Sequence, residues 1–271
     1  MSSPKVWVPL LILGAIHLTI VYLLFLFPRP PVQLVLGPII KRFFGQTYLH
    51  YPFNFVILPY LVKICRQFLA VFLDFYFLAA FAVLGLSFWR RNTLELRTAF
   101  SEPLRKLLPL LTYSILIIVL VFALRRVPPY VFNYIYSKNM VTQEQLDFSN
   151  MINLILRYTM EFFATLLKTF FVFTIPYLVL EGRGLLASID RSFQLALKNF
   201  FTTFFLLLVP TALIFGLEQF IKTPQSLIES HYPEMVFQIL LATEALNVLF
   251  CFLLMFPIVG IYSKNEGTGG A

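Results

Sequence analysis

The chain has 271 residues, of which 59% are hydrophobic, 17% aromatic and only 13% charged, and 32 of them are phenylalanine. Soluble domains carry about 25% charged residues, and one soluble core would leave too much of this apolar surface exposed, so a large water-soluble domain is excluded. The formal charge of +8 comes from 21 Lys and Arg residues set at the ends of apolar runs rather than gathered on one face, a pattern that fits lipid headgroups and topology and not nucleic acid.

A helical span needs about 20 apolar residues, and the hydropathy pattern predicts six: 6–27, 67–89, 107–124, 160–180, 199–219 and 236–262. The expected fold is an all-α polytopic transmembrane bundle forming a single integral membrane domain over 1–271. Lys5 precedes the first apolar run, which is too long for a signal-peptide core and lacks a small-residue cleavage site, so it is expected to remain as the first span. The stretch 37–51 mixes Lys41, Arg42 and His50 with Phe43, Phe44, Tyr48 and Tyr51, the composition of headgroup depth. Segment 52–66 is apolar but holds Pro59, Lys63 and Arg66. It is expected to lie in the interface or re-enter rather than add a seventh span.

After the second span comes WRRNTLELRTAFSEPLRKLL and after the fourth EGRGLLASIDRSFQLALKNF. Both read as short amphipathic surface helices, so two span, surface helix, span units suggest an internal duplication. The connector 125–150 is the most polar part and is expected to form an exposed loop and helix. With the amino terminus inside, ten Lys and Arg fall on the inner side and nine on the outer. The compactly basic 90–106 and 183–198 connectors favour that orientation. Cys65 and Cys251 lack metal or redox spacing and read as small hydrophobes.

The run from Ile175 to Phe200, IPYLVLEGRGLLASIDRSFQLALKNF, carries Pro176 late in a span, Glu181 just after it, and Arg191 and Ser192 on a short helix before the next span. In these elements it resembles the integral membrane domain found beside the catalytic domain of some bacterial glycerophosphodiester phosphodiesterases, and related six-span bacterial families. That resemblance covers about a tenth of the chain and implies a membrane fold without the soluble catalytic domain. It also suggests a bacterial cytoplasmic membrane.

Ionisable residues inside spans are the functional candidates, because a charge at the bilayer centre costs about 2.5–3.5 kcal/mol or more. The candidate intramembrane polar site comprises Asp74 in the second span, Glu161 and Lys168 with Arg157 on one face of the fourth, and Glu244 with Asn247 one turn apart in the sixth; Glu218 ends the fifth. One reading is a proton or ion path carried by Asp74 and Glu244. The other is packing: Asp74 pairs with a basic residue on a neighbouring helix, Glu244 and Asn247 bond across helices, and Arg157 with Glu161 forms an i,i+4 pair. Pro176, Pro210 and Pro257 are expected to kink their spans. His17 has no partner at ligand spacing, so haem or pigment binding stays open, and a metal shared by His50 and His231 has little in its favour. No nucleotide, metal or nucleophile motif is present, so no enzyme activity and no cofactor are expected. The leading expectation is a non-catalytic scaffold or accessory subunit whose partners are membrane lipids and other membrane proteins. The alternative is a small transporter or channel using Asp74 and Glu244. A lipid-modifying enzyme would need the polar group Glu181, Asp190, Arg191 and Ser192 to converge at the headgroups.

Overall fold

A computed structural model describes residues 4–90, 93, 95–137, 143–221 and 232–267. Among these the regular structure is entirely helical. The helices are α1 (Val8–Phe25), α2 (Val32–Phe43), α3 (Asn54–Leu69), α4 (Phe75–Trp89), α5 (Leu96–Arg105), α6 (Leu107–Ser137), α7 (Gln143–Phe171), α8 (Thr174–Leu180), α9 (Leu185–Lys198), α10 (Phe200–Ile221) and α11 (Glu234–Gly267). Six segments are long and apolar enough to cross a membrane: Lys5–Phe25, Asn54–Trp89, Leu107–Val127, Tyr158–Leu180, Phe200–Gln219 and Glu234–Asn265. In hydrocarbon every backbone amide must be bonded within its own element, which continuous helices achieve. The chain is a polytopic, all-α integral membrane protein.

The reading of segment 52–66 needs correcting. Segment 52–66 is not a separate interfacial helix, because α3 runs through a π-helical turn at Ala70–Asp74 directly into α4. Pro59 is accommodated inside α3, so the second span begins at Asn54 rather than near 67. Of the connector 125–150, expected as an exposed loop and helix, the described parts are helical, α6 continuing to Ser137 and α7 starting at Gln143, and 138–142 lie outside the described residues.

The chain divides into two compact units, 1–105 with 210–271, and 106–209. In unit 1, α1 packs on α11, α4 and α3, and α5 lies against α4. Small residues set the spacing. A Cβ on Gly14 would stand 2.9 Å from a Val248 methyl, and one on Gly85 3.3 Å from a Val259 methyl, so glycine lets α1 and α4 close on α11. Aromatic contacts fix the directions. Trp7, at the start of α1, meets Phe81 of α4 and Phe256 in the later part of α11 at ring-centroid distances of 5.7 and 5.8 Å. Phe25, at the end of α1, stacks on Phe237 at 4.2 Å and approaches Phe55 at 6.1 Å, both near their helix starts. Thus α1 runs antiparallel to α3–α4 and α11.

In unit 2, α6 and α7 pair, and α9 packs on α7 and α8. Pro176 breaks its span instead of only bending it: α7 stops at Phe171 and α8 starts at Thr174. Proline lacks the N–H for the preceding turn and its ring crowds that turn's carbonyl. Side chains answer the carbonyls at the break, Tyr113 Oη donating to Phe171 O at 2.6 Å and Ser192 Oγ to Phe170 O at 2.7 Å. Pro210 and Pro257, by contrast, lie within continuous α10 and α11. Gly182 closes α8 at φ +67°, the left-handed conformation that glycine adopts freely, and Lys106 Nζ lies 3.0 Å from where its Cβ would be.

Candidate functional site

Unit 1 gathers five ionisable side chains into one chain that runs from its interior to its surface. His17 stands in the middle of α1 with Nε2 2.9 Å from Asp74 Oδ1 and Nδ1 3.2 Å from Glu244 Oε2. The second carboxylate oxygen of Glu244 accepts from Arg66 Nη1 at 3.3 Å, and Arg66 Nη2 donates to Glu218 Oε1 at 3.2 Å. The result is a continuous chain, Asp74, His17, Glu244, Arg66, Glu218, drawn from α1, α3, the π turn, α10 and α11. Its middle is the most enclosed part: the side chains of His17 and Glu244 are 7% and 3% exposed, against 24% for Asp74 and 38% for both Arg66 and Glu218.

The π turn explains how one helix supplies two members. Arg66 and Asp74 are eight residues apart, which on a straight α-helix separates them by about 80°. A π turn takes up one extra residue and sets the phase back by about 100°, leaving the two within roughly 20° of one face. π turns inside α-helices are frequent at functional sites, and this one ends on Asp74.

The arrangement fixes a proton count. A neutral imidazole donates from one nitrogen only, so both His17 contacts are made when the ring holds two protons or when one flanking carboxyl holds one. In the second case, with the ring proton on Nε2 and the carboxyl proton on Glu244, that proton can pass to Nδ1 while the Nε2 proton leaves for Asp74, with no net charge left on the ring. Both ring nitrogens are engaged in these contacts, so axial ligation of a haem would first require one to break.

Of the residues expected from the sequence, Asp74 and Glu244 do converge, and His17 on a neighbouring helix is the basic partner of Asp74. Glu244 bonds His17 and Arg66, while Asn247, one turn further along α11, has its buried Nδ2 without a hydrogen-bond partner. Glu161 and Lys168 belong to α7 of unit 2. Glu161 accepts from Arg125 Nη2 of α6 at 2.6 Å, an interhelical pair; the Arg157 side chain, and with it the expected i,i+4 contact, lies outside the described residues, as does His231. The headgroup-level polar group does not converge: Glu181 pairs with Arg183, Asp190 with Gln194, and Ser192 turns inward to Phe170 O. Sequence reasoning missed Arg66, placed at the surface because segment 52–66 looked too polar to span, and left His17 without a partner.

The fold and site define a helical membrane protein with a hydrogen-bonded chain of ionisable side chains among its spans. No family model matches the chain, and neither a curated protein nor a solved structure does. The resemblance of Ile175 to Phe200 therefore rests on those residues alone.

Proposed function

We propose that the chain is a small membrane transporter that moves protons, alone or coupled to a solute, through unit 1. The observation that carries this reading is His17 bridging Asp74 and Glu244 inside three packed spans. Ionisable groups in the hydrocarbon layer are expensive, and well-packed apolar residues of the same volume would hold helices together as well or better. His17, Asp74 and Glu244 in one hydrogen-bonded run are therefore better explained by proton handling than by packing alone. In that role Glu244 and Asp74 exchange protons through the two nitrogens of His17, and Arg66 balances Glu244.

The chain would sit in a bacterial cytoplasmic membrane with its amino terminus inside. The compactly basic 90–106 and 183–198 connectors support this orientation.

A scaffold or accessory-subunit role is the second reading. What favours it is that the same chain of ion pairs also ties α1, α3, α10 and α11 together, as a structural clamp would. Reconstituted vesicles separate the two. With a pH-sensitive dye inside and an imposed gradient, transport predicts proton flux that falls at least about tenfold in Asp74→Asn and Glu244→Gln. Absent flux, or flux indifferent to both substitutions, overturns the transport reading. Copurification of stoichiometric membrane partners in native detergent would then support the scaffold.

A further inference from the structure

The buried His17–Glu244 contact must exchange protons with water somewhere, and the packing restricts where. One helical turn from the cluster on one side, the same helices present Val21, Val62 and Leu240, all buried and part of one apolar core. One turn away on the other side stand Leu13 and Phe77, both buried, and Val248, which closes on Gly14. These two apolar layers cover the cluster along the helix axes. Toward α10 the cover is polar instead: Arg66 and Glu218, each 38% exposed, stand between Glu244 and the outside. Glu218 is three residues from the end of α10, about 4.5 Å of helical rise and hence near headgroup level. Lys63, one turn before Arg66 on α3, is the other cation on that side of the helix, and it is exposed.

We infer that the Arg66–Glu218 ion pair is the gate to the buried site, and that water reaches Glu244 sideways at headgroup level through this pair rather than along either end of unit 1. Arg66 and Glu218 are positioning residues here. With each carboxylate holding one guanidinium nitrogen, Arg66 covers Glu244 as long as Glu218 anchors its other arm. When Glu244 takes up a proton, its hold on Arg66 weakens, and the guanidinium, anchored by Glu218 alone, swings off Glu244 more readily. This inference rests on the proton-transport reading, but its test does not use flux.

In a chain carrying Cys65→Ser and Cys251→Ser, Asn247→Cys places a reporter thiol one turn from Glu244. The rate of its modification by a membrane-impermeant, anionic methanethiosulfonate is measured in proteoliposomes. Glu218→Gln is expected to raise that rate about fivefold, the change in open population from losing a half-exposed ion pair worth about 1 kcal/mol. Glu218→Asp, which keeps the charge, is expected to restore most of the slow rate. A rate untouched by Glu218→Gln, or raised equally by both substitutions, overturns the gate, as does acceleration only when an end layer is opened by Phe77→Ala. If Asn247→Cys does not yield a monodisperse protein, Thr243→Cys reports from the other side of Glu244. Flux in the same vesicles keeps the two ideas apart: a thiol that responds to Glu218 without flux sinks transport and leaves the gate, and flux with an indifferent thiol does the reverse.

Discussion

Replacing the charged core by hydrocarbon separates what the cluster does for stability from what it does for function. His17→Ala alone leaves Glu244 with one of its two partners and strips Asp74 of its imidazole. Breaking a buried ion pair by removing one member costs about 3–5 kcal/mol. Because the Asp74 side chain is 24% exposed while Glu244 is 3% exposed, the lower end of that range applies. At about 2–4 °C per kcal/mol, the melting temperature should fall by roughly ten degrees. The combined variant His17→Leu, Asp74→Leu, Glu244→Leu removes every charge of the inner triad at similar volume and leaves Arg66 paired with Glu218. Such replacements are neutral or stabilising by about 1–4 kcal/mol, so the triple variant should melt at or above the parent while losing all proton flux. Thermal unfolding of detergent-solubilised protein, followed by intrinsic fluorescence and size exclusion, measures the first half, and the vesicle assay the second. A triple variant as unstable as His17→Ala would refute the reasoning, because the ion pairs would then be holding unit 1 together.

Two further outcomes follow from the packing and the surface. Gly14→Val adds methyls where a Cβ already stands 2.9 Å from Val248; overpacking of this kind costs about 1–3 kcal/mol and pushes His17 from Glu244. Val248→Ala should recover more than half of the lost melting temperature, and an unchanged melting temperature in Gly14→Val would rule out so close an approach. Outside the spans, Tyr51 Oη donates to Glu234 Oε1 at 3.0 Å, and this hydrogen bond, ahead of burial and the carboxylate charge, raises the phenol above its ordinary value. A raised folded pKa means that the contact contributes in full below the ordinary phenol value of about 10 and is lost as pH climbs through the folded value. Ultraviolet difference titration against Tyr51→Phe should show Glu234→Gln moving this phenol down toward its ordinary value; an unmoved titration would mean that Glu234 does not hold it.

Membrane class and span number were legible because both depend on long local runs of apolar residues, and so were α5 and α9, whose apolar positions recur at helical spacing. Segment 52–66 was not. Pro59, Lys63 and Arg66 read as interfacial under a rule that discounts charge inside spans, yet the proline fits inside α3 and Arg66 is neutralised by carboxylates from α10 and α11. Similarly, Pro176 alone cannot distinguish a kink from a break. The outcome depends on whether donors such as Tyr113 and Ser192 reach the freed carbonyls, and these come from α6 and α9.

The site itself was half legible, for a reason that concerns helix phase. Asp74 and Glu244 stood out individually as charges in apolar spans. Their partner His17 is 57 residues from one and 227 from the other, distances at which no spacing rule operates, and a histidine is inexpensive enough in a span to pass as packing. The relation between Arg66 and Asp74 was hidden more deeply, since a straight wheel turns them about 80° apart and only the π turn brings them to one face. Such a turn gives up regular α-helical bonding over Ala70–Asp74, in the interior of a 36-residue helical segment where nothing in the apolar pattern requires it. Its presence beside Asp74, one of the two carboxylates that meet His17, ties the irregularity to the ionisable cluster, and makes helix register, rather than composition, the variable on which the chemistry of unit 1 depends.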